Sequence, residues 1–142
     1  MSDLEKAKSL LIDNNTCVLV KDNSVFVSQK RGIAPILDYM DEGIELRGYS
    51  VADRIVGKAA AMLFAKSGIV EVYAQVLSEK GKAFLEAHNI SVTWQKLVSM
   101  IINRQNTGMC PMEATVADIE DLEEAHLALK EKRRLLMAKA KS

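Results

Sequence analysis

Aromatic side chains are scarce in this chain of 142 residues: three Phe, three Tyr and one Trp, with none after Trp94. Proteins that stack successive nucleobases need such rings, so the C-terminal third carries no stacking platform. Net charge is lacking too, with 19 Lys and Arg against 19 Asp and Glu. Coating nucleic acid or an anionic membrane by bulk electrostatics requires a cationic excess, and both partner classes are set aside. Cysteine occurs only as Cys17 and Cys110, which excludes a secreted disulfide framework and makes a reducing, cytoplasmic compartment the expectation. No run of 18 apolar residues exists, so no membrane-spanning helix is expected. The opening MSDLEKAKSLLIDNN lacks the apolar centre of a signal peptide. What is present is ordinary globular material: 49% hydrophobic and 27% charged residues, enough to bury a core without staples. The expectation is a single domain over residues 1–142, ending in a charged helix from about residue 119.

Ser2 with Glu5 three positions on forms a capping-box pattern, and Leu4, Ala7, Leu10 and Leu11 continue it as a helix over 3–13. Cys17–Val20 and Ser24–Val27, around a polar turn in which Asn23 can take the left-handed conformation, predict a hairpin. Pro35 opens a short helix closed by Gly43. Ser50 is placed as the cap of a helix over 51–66, Ala-rich at its centre, with Gly68 as its stop. Residues 70–76 read as a buried strand, 79–88 as helix and 90–92 as a short strand. Leu97, Val98, Ile101 and Ile102 recur at spacings a helix over 94–102 would use. A polar loop over 103–108 leads to Pro111 at the start of another helix. Asp118–Asp121 marks a break before a final helix over 122–140. Strands alternating with helices predict an α/β fold, a three-layer α/β/α sandwich with a mixed sheet. The final helix is acidic at its start and basic at its end, which complements its own dipole.

Two segments carry the candidate chemistry. In the first, Asp53 and Lys58 stand five positions apart, about 140° around a helix axis. Gly57 costs about 1 kcal/mol against Ala in a helix interior, a cost usually offset by close packing or ligand access. A phosphate loop is excluded, because Ala52 and Ala59 stand where it requires Gly and Ser or Thr. In the second, Cys110-Pro111-Met112-Glu113 places a thiol at a loop-to-helix junction, beside backbone N–H groups that would favour thiolate. An inert buried cysteine with a capping glutamate is the plainer account of the same residues. Cys17, in a hairpin strand, reads as inert core.

The order of elements, with Cys110-Pro111-Met112-Glu113 opening a helix, resembles the cytidine deaminase-like superfamily. More closely, R-G-I-A-P at 31–35, D-R-I-V-G-K-A-A-A at 53–61 and C-P-M-E-A at 110–114 together are similar to a small uncharacterised bacterial family placed on that fold. The resemblance spans nearly the whole chain. It implies two motif-bearing helices whose N-terminal ends face one pocket, gathering Asp53, Lys58, Cys110 and Glu113, with Arg104 and Thr107 at the rim.

The departures from that pattern are as informative. A zinc deaminase supplies three His or Cys ligands and a proton-shuttling Glu. The helix carrying Gly57-Lys58-Ala59-Ala60 offers neither ligand nor glutamate, and Glu113 stands where a last cysteine belongs. The only imidazoles, His88 and His126, fall on helices read as exposed. Zinc is therefore not expected. The leading reading is a pocket for a small anionic or nucleotide-like ligand, with Lys58, Cys110 and Glu113 as candidate catalytic residues and Asp53, Gly57, Arg104 and Thr107 as ligand contacts. One alternative is a non-catalytic interaction protein on a decayed deaminase scaffold. Another is a divergent metal-dependent deaminase using Cys110, Glu113 and Asp53 as ligands. Seven Met residues and the Ala-rich helix make a homodimer an expectation as well.

Overall fold

The computed structural model describes residues 1–103 and 105–141. Five strands form one mixed sheet in the order β2-β1-β3-β4-β5. Strands β1 (Cys17–Lys21) and β2 (Ser24–Ser28) make the expected hairpin, and β1 also runs antiparallel to β3 (Ser50–Val56). Strands β4 (Glu71–Ser78) and β5 (Ser91–Val98) continue parallel to β3. At the hairpin turn it is Asp22 that takes the left-handed conformation, φ 54°, not Asn23; a short polar side chain tolerates it there.

Helices lie on both faces. On one, α1 (Asp3–Leu10) packs Ala7, with Leu11 just beyond it, against Val18, Val20 and Ala52. Its capping box is present, Ser2 Oγ accepting from the Glu5 N–H while the Glu5 carboxylate accepts from the Ser2 N–H. The larger core sits on the other face. There α2 (Ala34–Asp41), α3 (Lys58–Ser67) and α4 (Glu79–Ala87) cover Leu19, Val51, Val72 and Leu77. Outside them α5 (Pro111–Val116) and α6 (Leu122–Lys141) add Val116, Ala125 and Leu129. Gly43 and Gly68 close α2 and α3 with positive φ, 72° and 80°, where L side chains are strained. No helix among the described residues is long and apolar enough to cross a membrane.

Two segments differ from their sequence expectation. Residues 50–56 are the central strand β3, and α3 begins only at Lys58. Val51 and Ile55 fit a helical spacing as well as a strand. Ser50–Asp53 are buried, yet Asp53 and Arg54 interrupt the apolar run that a strand buried on both faces usually shows; the β-branched Val51, Ile55 and Val56 suit a strand all the same. Residues 94–98 belong to β5, which pairs with β4 as far as Ser78↔Val98, so the helix over 94–102 does not form. β5 is an edge strand with most of its side chains exposed, Trp94 and Leu97 among them. Such a strand shows little of the burial pattern that would have marked it.

Candidate functional site

Asp53 lies on β3 and Lys58 opens α3, so the two do not share a helix. Gly57 lies between them as the N-terminal cap, not in a helix interior. A glycine cap brings no side-chain acceptor, yet the first N–H groups of a helix need one. Glu113 of α5 supplies it. Its carboxylate accepts from the backbone N–H of Lys58 and of Ala59, both at 2.8 Å. The reason for glycine is spatial: a Cβ at position 57 would stand 2.1 Å from Glu113 Oε1 and 2.4 Å from Cδ. Glu113 thus fills the positive end of α3 with an anion of the chain's own.

The Lys58 side chain points away from this junction. It is buried, and its ammonium donates to Glu120 at 3.0 Å and to the carbonyl of Ala117 at 3.3 Å. The role assigned to it beside Cys110 is therefore corrected. Its backbone N–H holds the site together, while its charge ties α3 to the segment between α5 and α6.

Above β3 and between the starts of α2, α3 and α5 lies a cavity of about 550 Å³, of the size usual for small-ligand sites. Asp53, Gly57, Cys110 and Glu113 all line it. Lys58 and Thr107 are not among its lining residues; Thr107 is exposed and bonded to Asn103 within its own loop. Arg104 lies outside the described residues. The walls are largely apolar, with Ile33, Ile101, Pro111, Met112 and Leu136 contributing. Cys110 caps α5 and is half-buried, its N–H donating to the carbonyl of Ile101 at 2.9 Å.

Sequence reasoning missed three cationic groups, one of them Arg54 of β3, whose guanidinium donates to the carbonyls of Asn15 and Asp13. Arg31, just before α2, and Arg133, on α6, also line the cavity. The Arg133 guanidinium pairs with Asp38 at 2.7 Å. Arg31 is exposed, and its side chain has no hydrogen-bond or ion-pair partner among the described residues. R-G-I-A-P at 31–35 carried the relevant signal, since an arginine at a glycine turn before a helix start is placed to meet an anion.

Asp53 and Cys17 are register partners across β1 and β3 and are both buried. Burial pushes the Asp53 carboxyl up to about 7, against the pull of hydrogen bonds from the Ile55 and Arg54 N–H groups and the Cys17 thiol. Burial, and then the neighbouring carboxylate, push the Cys17 thiol well up. Cys17 is core, as expected, but it also touches the one acidic side chain on β3.

A metal centre does not fit this donor set. Both Glu113 oxygens accept from backbone N–H groups. Among the described residues, no group of three or more His, Cys, Asp or Glu is arranged to hold an ion. His88 stacks on Phe84 at the end of α4. His126 is half-buried, not exposed, and its Nε2 is enclosed without a partner.

No curated protein matches this chain. Among solved structures, the crystal structure of a DUF1893 family protein, TM1506 from Thermotoga maritima, aligns at TM-score 0.78 and 22% identity, over 98% of this chain and 91% of that one. It shares the fold described above. Two partial matches are deaminases, both at TM-score 0.44. One is a diaminohydroxyphosphoribosylaminopyrimidine deaminase/reductase from Thermotoga maritima, 20% identical over 57% of this chain and 29% of that one. The other is a dCMP deaminase from the cyanophage S-TIM5, 12% identical over 68% and 94%. At that TM-score they bear on neither activity nor substrate. The family is settled by sequence, since residues 5–133 match the model described as TM1506, domain of unknown function (DUF1893), and the chain belongs to that family.

Proposed function

We propose that this protein binds a small anionic or nucleotide-like molecule in the cavity above β3, and that it does so without zinc. The observation that carries the reading is Arg31, a guanidinium with no partner among the described residues at an otherwise largely apolar cavity of ligand size. Arg133 adds a second positive group whose Asp38 contact leaves guanidinium nitrogens for a ligand. Apolar walls with a few placed polar groups are the usual make-up of a small-molecule site. Guanidinium is the side chain best shaped to take a phosphate or carboxylate with two parallel hydrogen bonds. The start of α3 is not the anion site in this reading, because Glu113 already occupies it.

The test is thermal stabilisation by cytidine monophosphate, adenosine monophosphate, uridine and inorganic phosphate, each at millimolar concentration. Ligand at a hundred times its Kd stabilises by about 2.7 kcal/mol. A rise in melting temperature with either nucleotide, lost in Arg31→Ala, supports the reading. No rise with any of the four overturns it and leaves the surfaces of the protein to carry its function. Cys110 provides a second readout, because an occupied cavity would slow alkylation of a thiol that lines it.

A further inference from the structure

Anion binding at Arg31 and Arg133 makes no use of Asp53. Asp53 lines the cavity although it is only 7% exposed. Within the protein it meets two backbone N–H groups and the thiol of Cys17. The adjacent cation, Arg54, is committed elsewhere, its Nε and Nη2 donating to the carbonyls of Asn15 and Asp13 at 2.9 Å and 3.1 Å. The Lys58 ammonium is held by Glu120 and Ala117. Among the described residues, the other charged or titratable groups around the cavity are Glu113 and Cys110 of α5, Arg133 of α6 and Arg31. Glu113 answers the first N–H groups of α3, with one bond to each oxygen. A buried carboxyl is costly unless it is hydrogen-bonded and its charge answered; among the described residues Arg54 lowers the Asp53 pKa through its charge but spends its N–H groups on backbone carbonyls, and no ion pair to Asp53 is formed.

We propose that Asp53 is the specificity-determining contact of the cavity, and that it selects a ligand carrying an amidine-type nitrogen edge opposite its acidic group. The acidic half of that statement rests on the anion-binding reading above. The nitrogen half rests on the chemistry of the carboxyl. As a carboxylate, it takes two parallel N–H bonds from an amidinium, the fork geometry of the arginine–carboxylate pair. As a neutral acid, it offers one O–H donor and one acceptor, which complement the N–H and bare nitrogen of a neutral amidine-type heterocycle. Burial, which pushes this carboxyl to about 7, keeps both forms accessible near neutral pH. A ligand of the same shape without the nitrogens leaves the carboxyl unanswered, and discrimination between such pairs follows from the unpaired polar group.

The experiment is calorimetric titration of the intact protein with para-amidinobenzoate and with para-toluate, which keeps the carboxylate and ring but replaces the amidine by methyl. The wild-type protein should bind the amidine at least about tenfold more tightly at about pH 8. That preference should shrink toward about pH 6 as Asp53 takes up a proton. Asp53→Asn should abolish the preference and leave para-toluate binding in place, while Arg31→Ala should weaken both compounds. Equal affinity of wild-type protein for the two overturns the role of Asp53 and leaves the anion site standing. Binding of neither overturns both. The wild-type comparison across pH needs no variant to fold.

Discussion

The most exacting prediction concerns the contact between Gly57 and Glu113. Glu113→Ala removes a carboxylate that holds two backbone N–H groups at 2.8 Å each. Hydrogen bonds to a charged group contribute about 1.5–3 kcal/mol apiece, and an acidic group at a helix start about 0.3–1 kcal/mol more. Water reaches the part-buried N–H groups once the side chain is gone, so a net loss of about 3 kcal/mol is expected, near the low end of that sum. For a chain of this size it corresponds to a fall of about 6–12 °C in melting temperature. Gly57→Ala should cost about as much by evicting the same carboxylate, because the new Cβ would stand 2.1 Å from Oε1. The backbone at Gly57, φ −114° and ψ −167°, is open to alanine and adds no strain. In a Glu113→Ala background the steric conflict is absent. Alanine should then be neutral or stabilising by about 0.4–1 kcal/mol through the unfolded chain. Urea unfolding of the four proteins closes the double-mutant cycle, with an expected coupling of about 3 kcal/mol. If the two single losses simply add, the carboxylate is not what keeps position 57 a glycine.

Three further outcomes follow from the same geometry. Asp53 has a folded-state pKa near 7, above the unfolded value of about 3.9, so its contribution to stability is full below about pH 4 and is lost as pH rises toward and through 7. Asp53→Asn should therefore gain stability relative to wild type between those limits, and a gap that stays constant in urea unfolding across pH would contradict the assignment. Lys58→Met removes an ammonium whose partner, Glu120, has a side chain 77% exposed; the carboxylate returns to water, so a loss below about 1 kcal/mol and unchanged ligand affinity are expected. Native-state alkylation should modify the half-buried Cys110 but not the buried Cys17, both reacting in urea; mass spectrometry counts the adducts, and rapid labelling of Cys17 would show that β1 opens readily.

Local signals carried much of the fold. Pro35 and Gly43 bracket α2, Gly68 stops α3, and the acidic break at 118–121 separates the last two helices, as their chemistry dictates. Strand β3 was not legible in the same way, because Val51 and Ile55 satisfy two periodicities and only pairing with β1 and β4 decides between them. Of the candidate site, the grouping was legible at the level of residue type: Asp53, Gly57, Cys110 and Glu113 line one cavity. What each does there was not. Whether Lys58 offers its ammonium or its backbone N–H, and whether Asp53 lies beside Cys17, depend on contacts between distant segments that no local pattern encodes. Arg133 reaches the cavity from a helix whose charge pattern reads as simple dipole compensation.

The cap of α3 has a consequence for the order in which the chain assembles. The acceptor for its first N–H groups lies 55 positions downstream in the sequence, beyond two strands and a helix, so making the contact closes a long loop. Early in folding, α3 therefore grows from an unsatisfied start, held by its apolar face alone. The Glu113 contact should form after the rate-limiting barrier, giving a φ-value near zero. Loss of Glu113 would then leave the refolding limb of a chevron almost unmoved and accelerate unfolding, so that one carboxylate governs how long the native state lasts and not how quickly it is reached.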